Sequence, residues 1–333
     1  MNQSNNTIVS VIMSVYNGAR YLRESIDSIL HQTFPDFELV IINDGSTDDT
    51  VKILEEINDH RVVLLNQKNS GLTKSLNRGA RISKGVYIAR QDADDISLPN
   101  RFEQQVKFLN ENPNIGFVGG SYLLIDENSS RLKIIETKNN PALLKTRLLK
   151  SNIFAHGSCM FRKDLFNDIG GYREEFRYAQ DIDLWLRMSE RSRPGWVEFP
   201  PLYKQRVHLN SVGREKNNLQ KKFAETAVRA AALRIKGASD HGLIADLKDC
   251  KVDSHKRFQT LSGEAEKLLL ESRILLTNAK GHIIRKNIAL KKQCLGDSAK
   301  SDFLFFFFAI FLISYIPQCL RVKISKFVAN IFF

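Results

Sequence analysis

Three acidic clusters occur in order along the chain, and their positions suggest shared chemistry. Asp44 follows an apolar run of four residues, and Asp92 follows a second apolar run further along. Asp181 comes at the start of a predicted helix. Carboxylates placed next to buried strands are costly to desolvate unless they bind a cation or a hydrogen-bond donor. The clusters therefore predict one site that binds a nucleotide and a divalent metal ion beside a proton acceptor.

The second cluster, Asp92-Ala93-Asp94-Asp95, has the spacing of a metal-binding segment. In an extended segment, residues two apart point to the same side, so Asp92 and Asp94 can converge on one cation. Mn²⁺ and Mg²⁺ take oxygen ligands, and Mg²⁺ commonly uses one or two carboxylates together with substrate phosphates. The alternative is a solvated acidic turn, but the position after a buried strand favours the metal.

The other two clusters each leave two interpretations open. Asp44 either caps a helix start or accepts a hydrogen bond from a base or ribose. Asp181 either stabilises the amides at a helix N-terminus or acts as a general base on an acceptor hydroxyl. Trp185, one helical turn later, could pack beside a sugar ring, although a core position is the commoner role of a single tryptophan.

The elements that position these residues alternate between strand and helix. Apolar runs predict strands at 8–16, 37–42, 62–65 and 86–90. Helical spacing predicts helices at 21–30 and 72–82, with another ending near residue 57. This alternation predicts a mainly parallel sheet with right-handed crossovers, whose ligand lies off the carboxyl ends of the strands. Asp44 and Asp92 both fall at such ends.

Further elements follow the first four strands. We predict strands at 115–125 and 155–162. Apolar periodicity predicts helices at 101–110, 141–150, 164–169, 181–190, 218–236, 264–278 and 282–294.

Five motifs occur in a fixed order over residues 8–215. They are SVIMSVYN at 10–17, NDGSTD at 43–48, NSGL with NRG at 69–79, DADD at 92–95, and GGY with QDIDLW at 170–185. Each motif is loose alone, but their order and spacing together are specific. On these residues the chain resembles the inverting family 2 glycosyltransferases of the GT-A fold, of the bacterial surface-polysaccharide type.

The resemblance implies an α/β fold with a Rossmann-like, mixed but mainly parallel sheet, flanked by helices and followed by a C-terminal helical extension. It also implies a UDP-sugar donor and Mn²⁺ or Mg²⁺. Residues expected to line the nucleotide pocket are Ser14, Tyr16, Asp44 and Asp92. Asp94 is expected to bind the metal, with Asp95 and His208 as further candidates. Asp181 matches the catalytic base, and His156 matches a segment on the acceptor side, where Trp185 is a weaker candidate.

One departure from the family pattern concerns the base. The family often has Glu-Asp at this point, whereas this chain has Gln180-Asp181. The base is kept but a neighbouring carboxylate is missing, and Asp183 is the fallback base. No Gln-x-x-Arg-Trp motif occurs, which argues against a processive polymer synthase.

Charge divides the chain into unequal parts. Residues 216–333 contain 21 Lys and Arg against 10 Asp and Glu, which accounts for nearly all of the net charge of +12. Aromatic residues are not interleaved with the basic ones of 216–300, so we expect no nucleic-acid partner. The run from Phe303 to Ile316 has no charge and is followed by Arg321, Lys323 and Lys326. It is shorter than the ~20 apolar residues of a spanning helix, so we expect a monotopic contact with anionic lipids.

We therefore predict three regions: a catalytic domain at 1–215, a basic helical extension at 216–300 and a membrane-associating segment at 301–333. Residues 8–16 are predicted as a strand rather than a signal peptide. The four cysteines contain no CxxC pair, so they indicate neither a zinc site nor a disulfide framework. From the charge distribution and the apolar run we expect the protein at the cytoplasmic face of the bacterial inner membrane, as a peripheral or monotopic protein.

The expected activity is transfer of one hexose or N-acetylhexosamine to a lipid-linked or oligosaccharide acceptor. Among relatives with a D-x-D-D cluster, β-1,3 transfer of glucose or galactose is the expected linkage. One alternative is a nucleotidyltransferase, which would need a longer Gly-rich phosphate loop than Asn17-Gly18-Ala19-Arg20. The other is a non-catalytic, membrane-bound nucleotide-sugar-binding protein, which only Gln180 supports.

Overall fold

The structure is a computed structural model that describes residues 7–207 and 217–247. Its first half alternates strictly between strand and helix, as the sequence predicts. The elements are β1 (Val9–Val15), α1 (Ala19–Leu30), β2 (Phe37–Asn43), α2 (Thr50–Glu55), β3 (Val62–Asn66), α3 (Leu72–Ile82) and β4 (Tyr87–Asp92).

The second half is less regular. It contains β5 (Ile96–Ser97), α4 (Arg101–Glu111), β6 (Ile115–Gly120), β7 (Tyr122–Ile125), β8 (Arg131–Ile135), α5 (Pro141–Leu148), a 3₁₀ turn (His156–Ser158), β9 (Met160–Arg162), α6 (Lys163–Asp168) and α7 (Gln180–Arg191). It continues with β10 (Arg193–Val197), β11 (Tyr203–Arg206), α8 (Asn217–Ile235) and α9 (His241–Ala245).

The described strands form two sheets. The larger has the order β10-β6-β9-β4-β1-β2-β3, and the smaller has the order β5-β11-β7-β8. In the larger sheet β9 runs antiparallel to its neighbours β4 and β6, whereas the other pairs are parallel. The predicted mixed, mainly parallel α/β sheet flanked by helices is therefore confirmed.

The larger sheet is buried on both faces because helices pack against each of them, and successive strand residues point to opposite faces. On one face Val11 and Met13 of β1 pack in a core with Leu22 and Ile26 of α1. On the other face Ile12 packs in a core that includes residues of α3 and α7. Near-continuous apolar runs in β1 and β2 follow from this double burial.

Two predictions about the second half need correction, and one strand, β10, is not predicted at all. Residues 115–125, predicted as one strand, form β6 and β7 in different sheets. Residues 155–162 form a 3₁₀ turn and only a short strand. Strand β10 has no strand-like sequence, because it contains Pro194 and Gly195. It forms at the edge of the larger sheet, with an irregular register at Pro194, where a missing N–H is tolerated.

Helix α8 packs against α7 through buried Phe223, Ala227, Ala230 and Ala231. Arg234 of α8 pairs with Glu190 of α7 at 2.7 Å. The helix predicted at 218–236 corresponds to α8. The helices predicted at 264–278 and 282–294, and the segment at 301–333, lie outside the described residues. Within the described ranges, no helix combines the length and hydropathy needed to cross a bilayer.

Candidate functional site

The residues predicted to bind the nucleotide lie at one edge of the larger sheet. Ser14 of β1 is in register with Asp92 of β4 on one side and with Ile42 of β2 on the other. Asp44 follows β2 directly, and its N–H donates to the carbonyl of Val15 at 2.9 Å. Tyr16 follows β1 with 53% of its surface exposed. The fold therefore brings Ser14, Tyr16, Asp44 and Asp92 together at the carboxyl ends of adjacent parallel strands.

Asp44 organises the loop that leads into α3. Its Oδ1 accepts from Gln67 Nε2 at 2.6 Å and from the Ser70 N–H at 2.8 Å. Its Oδ2 accepts from the Gly71 N–H at 2.9 Å. The Asp44 carboxylate therefore fixes the loop before α3 and does not cap the start of α2. Its contact with the nucleoside stays a prediction.

Asp92 ends β4 beside a buried arginine. Arg90 donates to Asp92 Oδ1 through Nη2 and to the carbonyl of Ile12 at 2.8 Å through Nη1. Burial raises the pKa of the Asp92 carboxyl and the negative charge of Asp94 adds to this, while Arg90 opposes it. Asp92 nevertheless keeps 30% of its side chain exposed at the sheet edge.

Asp95 has a different environment from its neighbours. It is 3% exposed, and its Oδ1 accepts from the Arg206 N–H at 2.7 Å. Burial and the charges of Asp94 and Asp92 raise the pKa of the Asp95 carboxyl well above its usual range. Asp95 therefore anchors β11 to the acidic segment, while Asp94 remains partly exposed in the same turn.

Asp92 and Asp94 have the chemistry of ligands for a divalent cation whose remaining ligands come from a diphosphate. No group of three or more His, Cys, Asp or Glu side chains in the described ranges is arranged to bind a metal. Mg²⁺ is commonly bound by one or two carboxylates plus substrate phosphates, however, which Asp92 and Asp94 can supply. A cation would also relieve the repulsion between their charges. His208, the other candidate ligand, lies outside the described residues.

Asp181 is half-buried in the first turn of α7. Its Oδ2 accepts from Asn152 Nδ2 at 2.6 Å, and its Oδ1 accepts from the Ile182 N–H at 2.9 Å. Burial raises the pKa of the Asp181 carboxyl to about 6, against these hydrogen bonds, and the charge of Asp92 adds to the increase. A carboxylate of this pKa is ionised at neutral pH and is a stronger base than an exposed aspartate.

The segment 152–158 contacts Asp181 directly and reaches Asp92 through its partner Arg90. Asn152 donates to Asp181, and His156 Nε2 lies 3.3 Å from Arg90 Nε. The same nitrogen lies 2.7 Å from the Tyr172 hydroxyl. Since Arg90 can only donate, Nε2 must accept and the ring proton lies on Nδ1. Burial and the charge of Arg90 hold the pKa of His156 well below its usual range, so the ring is neutral.

Tyr172 is fixed in turn by α3. Its N–H donates to Asn77 Oδ1 at 3.0 Å, and its carbonyl accepts from Asn77 Nδ2 at 2.8 Å. Gly170 and Gly171 precede it with φ of +79° and +69°, which other residues adopt only with strain. His156, expected on the acceptor side, therefore connects that side to the Arg90–Asp92 pair.

The structure excludes two of the predicted contacts. Trp185 is fully buried and stacks on Phe117 with ring centroids 5.0 Å apart. The expectation that it packs beside an acceptor sugar is wrong, and the core interpretation is correct. Asp183, the fallback base, is also fully buried and pairs with Arg187 at 2.8 Å, so no acceptor hydroxyl can reach it.

Sequence reasoning missed Arg90, Asn152, Tyr172 and Arg206. Arg90 had a usable signal, because it is a charged residue inside the apolar run of β4. Tyr172 belongs to the GGY motif, although the motif assigns it no role, and Asn152 had no signal in its local sequence. Arg206 is 4% exposed, and its partners come from three separate parts of the chain.

Comparison with known proteins identifies the family. The model of "Glycosyl transferase family 2" matches residues 10–170. EpsE of Bacillus subtilis (strain 168), whose name assigns it to the glycosyltransferases, is 40% identical over 213 residues, covering 62% of this chain and 75% of EpsE. The chain belongs to glycosyltransferase family 2. It is a glycosyltransferase, which disfavours the nucleotidyltransferase and non-catalytic alternatives.

Two further relatives extend the comparison. The O-antigen biosynthesis glycosyltransferase WbnJ of Escherichia coli is 39% identical over 211 residues, covering 61% of this chain and 81% of WbnJ. Among solved structures, S. aureus TarS 1-349 in complex with UDP-GlcNAc aligns with a TM-score of 0.56 and 21% identity, covering 72% of this chain and 71% of TarS. At that identity the structural likeness supports the fold alone.

Proposed function

We propose that the protein transfers a hexose or N-acetylhexosamine from a UDP-sugar to a hydroxyl of a glycan acceptor, with inversion. The acceptor we propose is linked to a lipid diphosphate, and the product is a bacterial surface polysaccharide of the O-antigen or capsule type. A β-1,3 bond from glucose or galactose is the proposed linkage. The observation that carries the proposal is the position of Asp181, which segment 152–158 ties to the Arg90–Asp92 pair.

Names of related proteins support the donor and the pathway. TarS has been crystallised with UDP and with UDP-GlcNAc. WbnJ is named for O-antigen biosynthesis. The exposed ring of Tyr16 beside Ser14 offers a flat surface for the uracil base at the donor side of the carboxylates.

In the proposed reaction Asp181 removes the proton of the acceptor hydroxyl as its oxygen attacks the anomeric carbon. The new carbon–oxygen bond forms as the bond to UDP breaks, and the proton stays on Asp181. Asn152 keeps the carboxylate oriented, and the neutral His156 keeps Arg90 against Asp92 without titrating near neutral pH. Asp92 and Asp94 would hold a Mn²⁺ or Mg²⁺ ion, which when bound neutralises charge on the departing diphosphate.

The test is a screen of UDP-sugars against synthetic polyprenyl-diphosphate acceptors, with Mn²⁺ present or replaced by EDTA. The Asp181→Asn variant should lose about 10²–10⁴-fold in kcat, the usual contribution of a general base, while UDP binding measured by calorimetry is unchanged. Asp164→Asn, an exposed helix carboxylate away from the sheet edge, is the matched control and should keep full activity. Transfer by Asp181→Asn at the wild-type rate would remove Asp181 from the mechanism.

We also propose that the enzyme works at the cytoplasmic face of the inner membrane, where residues 301–333 contact anionic lipids. The apolar run at 303–316 and the cationic residues that follow it support this placement. Flotation with vesicles of phosphatidylglycerol should recover the full chain but not a chain ending at residue 300. Equal recovery of both would contradict the proposed role of this segment.

A further inference from the structure

Two exposed aromatic rings lie at the edge of the larger sheet where the carboxylates of the site are found. Tyr16 follows β1 and is 53% exposed, and Phe199 follows β10 and is 75% exposed. The other large, exposed apolar side chains of the described residues are aliphatic: Leu72, Ile82, Val86, Leu143 and Ile235. Since β1 and β10 run in the same direction within one sheet, both rings lie at the edge that carries Asp92.

The loop that carries Phe199 is anchored on both sides. Ser121 Oγ donates to the carbonyl of Glu198, and the Leu202 N–H donates to the carbonyl of Ser121 at 2.8 Å. The Glu198 carboxylate accepts from the Asn139 N–H at 2.9 Å and from Lys138 Nζ at 3.0 Å. These hydrogen bonds fix the loop, so the apolar surface of the Phe199 ring stays in contact with water in the folded protein.

The order of strands places Phe199 on the acceptor side. The proposed nucleotide residues lie on β1, β2 and β4, whereas β9, β6 and β10 continue the sheet in the other direction. The segment before β9 carries Asn152, which bonds to Asp181. The proposed base thus lies between the donor side and β10. Three strand spacings separate β4 from β10, which is about 14 Å.

We propose that Phe199 forms an acceptor subsite, stacking on a sugar ring beyond the one that bears the reacting hydroxyl. This inference rests on the proposed function and narrows its acceptor to glycans of at least two sugars. One face of a hexose presents mainly C–H groups, which pack on an aromatic ring. The exposed Lys138 and Asn139 beside the loop can donate to its hydroxyls. Since the proposed base lies between the donor side and β10, an acceptor chain that extends from Asp181 towards β10 would meet the ring with a sugar beyond the reacting one.

The experiment uses the full chain and short polyprenyl diphosphates that bear one, two or three hexose units. Phe199→Ala should raise the acceptor KM for the two- and three-sugar probes about tenfold, equal to about 1.4 kcal/mol. The acceptor KM for the one-sugar probe should stay unchanged. Phe199→Trp should keep the wild-type values. Val86→Ala, an exposed apolar residue before β4 at the opposite edge of the sheet, is the matched control and should change neither.

A second readout does not depend on turnover. Saturation-transfer NMR with the water-soluble trisaccharide, in the presence of UDP and Mn²⁺, should show contact with wild-type protein and a loss of signal with Phe199→Ala. An equal KM increase for all three probes, or none, would overturn the subsite. So would a change in the KM for UDP-sugar, or weaker binding to lipid vesicles with unchanged trisaccharide binding. If wild type transfers no sugar to any probe yet the trisaccharide signal depends on Phe199, the proposed function fails and the glycan subsite stands.

Discussion

The Asp181 carboxyl lies between the Asn152 side chain and the Ile182 amide, and both contacts favour its charged form. Burial opposes them and raises the pKa to about 6. Because the proposed base must be ionised, activity should fall as pH decreases through about 6. The pKa values of the Asp92 and Asp95 carboxyls are raised as well, so a change made beside Asp181 alone is needed to assign the acidic limb of the kcat profile.

Replacing Asn152 tests this assignment. In Asn152→Leu the charged carboxylate loses a donor, so its pKa should increase and the acidic limb should move to higher pH. A hydrogen bond to a charged group contributes about 1.5–3 kcal/mol, so we expect a shift of about 1–2 pH units. The measurement is kcat as a function of pH from about 4.5 to about 8, because the fold should remain stable over roughly that range.

The matched control is Asn140→Leu, which removes an asparagine that instead caps α5. It should leave the acidic limb in place even if it lowers stability slightly. If the limb stays at the same pH in Asn152→Leu, the group that titrates is not Asp181.

At the scale of elements, Arg206 connects the end of β11 to three other parts of the fold. Its Nε donates to the carbonyl of Asp94 at 2.9 Å, and its Nη2 pairs with Glu24 of α1 at 2.6 Å. Its Nη1 donates to Ser129 Oγ at 3.0 Å in the turn between β7 and β8. The Arg206 side chain thus holds the backbone of the acidic segment 92–95 in place through the Asp94 carbonyl.

Arg206→Met should lower the free energy of unfolding by about 3 kcal/mol, because the carbonyls of Asp94 and Asp126 and the Glu24 carboxylate lose a charged donor. It should also raise the Mn²⁺ concentration needed for half-maximal transfer, because the Asp94 backbone loses its support. The control is Arg20→Met: Arg20 is 64% exposed and pairs with Glu127 at 3.2 Å near the same turn. Surface pairs contribute little, so that variant should be near wild type. Equal metal dependence in both variants would contradict a positioning role for Arg206.

How much the sequence predicts depends on where each element's partners lie. The strands β1 to β4 and helix α3 are predictable because apolar spacing alone sets their burial, and their carboxyl ends fix Asp44 and Asp92. The break between β6 and β7 is harder to predict, because apolar residues continue on both sides of Gly119-Gly120-Ser121, the only local signal of a break. The role of the buried Arg206 is also beyond local reasoning, since its acceptors lie in distant segments of the chain, whereas Arg90 is marked by its charge within the apolar run of β4.

At the scale of the whole molecule, the predicted catalytic boundary at residue 215 excludes helix α8, which packs on the helix that begins with Gln180 and Asp181. Phe223 of α8 is buried, and its ring lies 6.1 Å from Phe176 and 5.4 Å from Tyr178. Those two residues lead directly into α7. The Phe176 carbonyl also accepts from Thr73 Oγ1 at 2.9 Å, which ties the same segment to α3. Helix α8 therefore supports the segment that leads to the proposed base.

Phe223→Ala tests that support. Truncating a buried phenylalanine should lower the free energy of unfolding by about 3–5 kcal/mol. The cavity lies under the residues that precede α7, so kcat should fall at temperatures where the variant is still folded, while UDP affinity stays the same. Ile235→Ala is the matched control, because Ile235 lies on the same helix but is 64% exposed. Denaturant unfolding and kcat are measured for both variants. Equal kcat values in the two would show that α8 stabilises the domain without positioning Asp181.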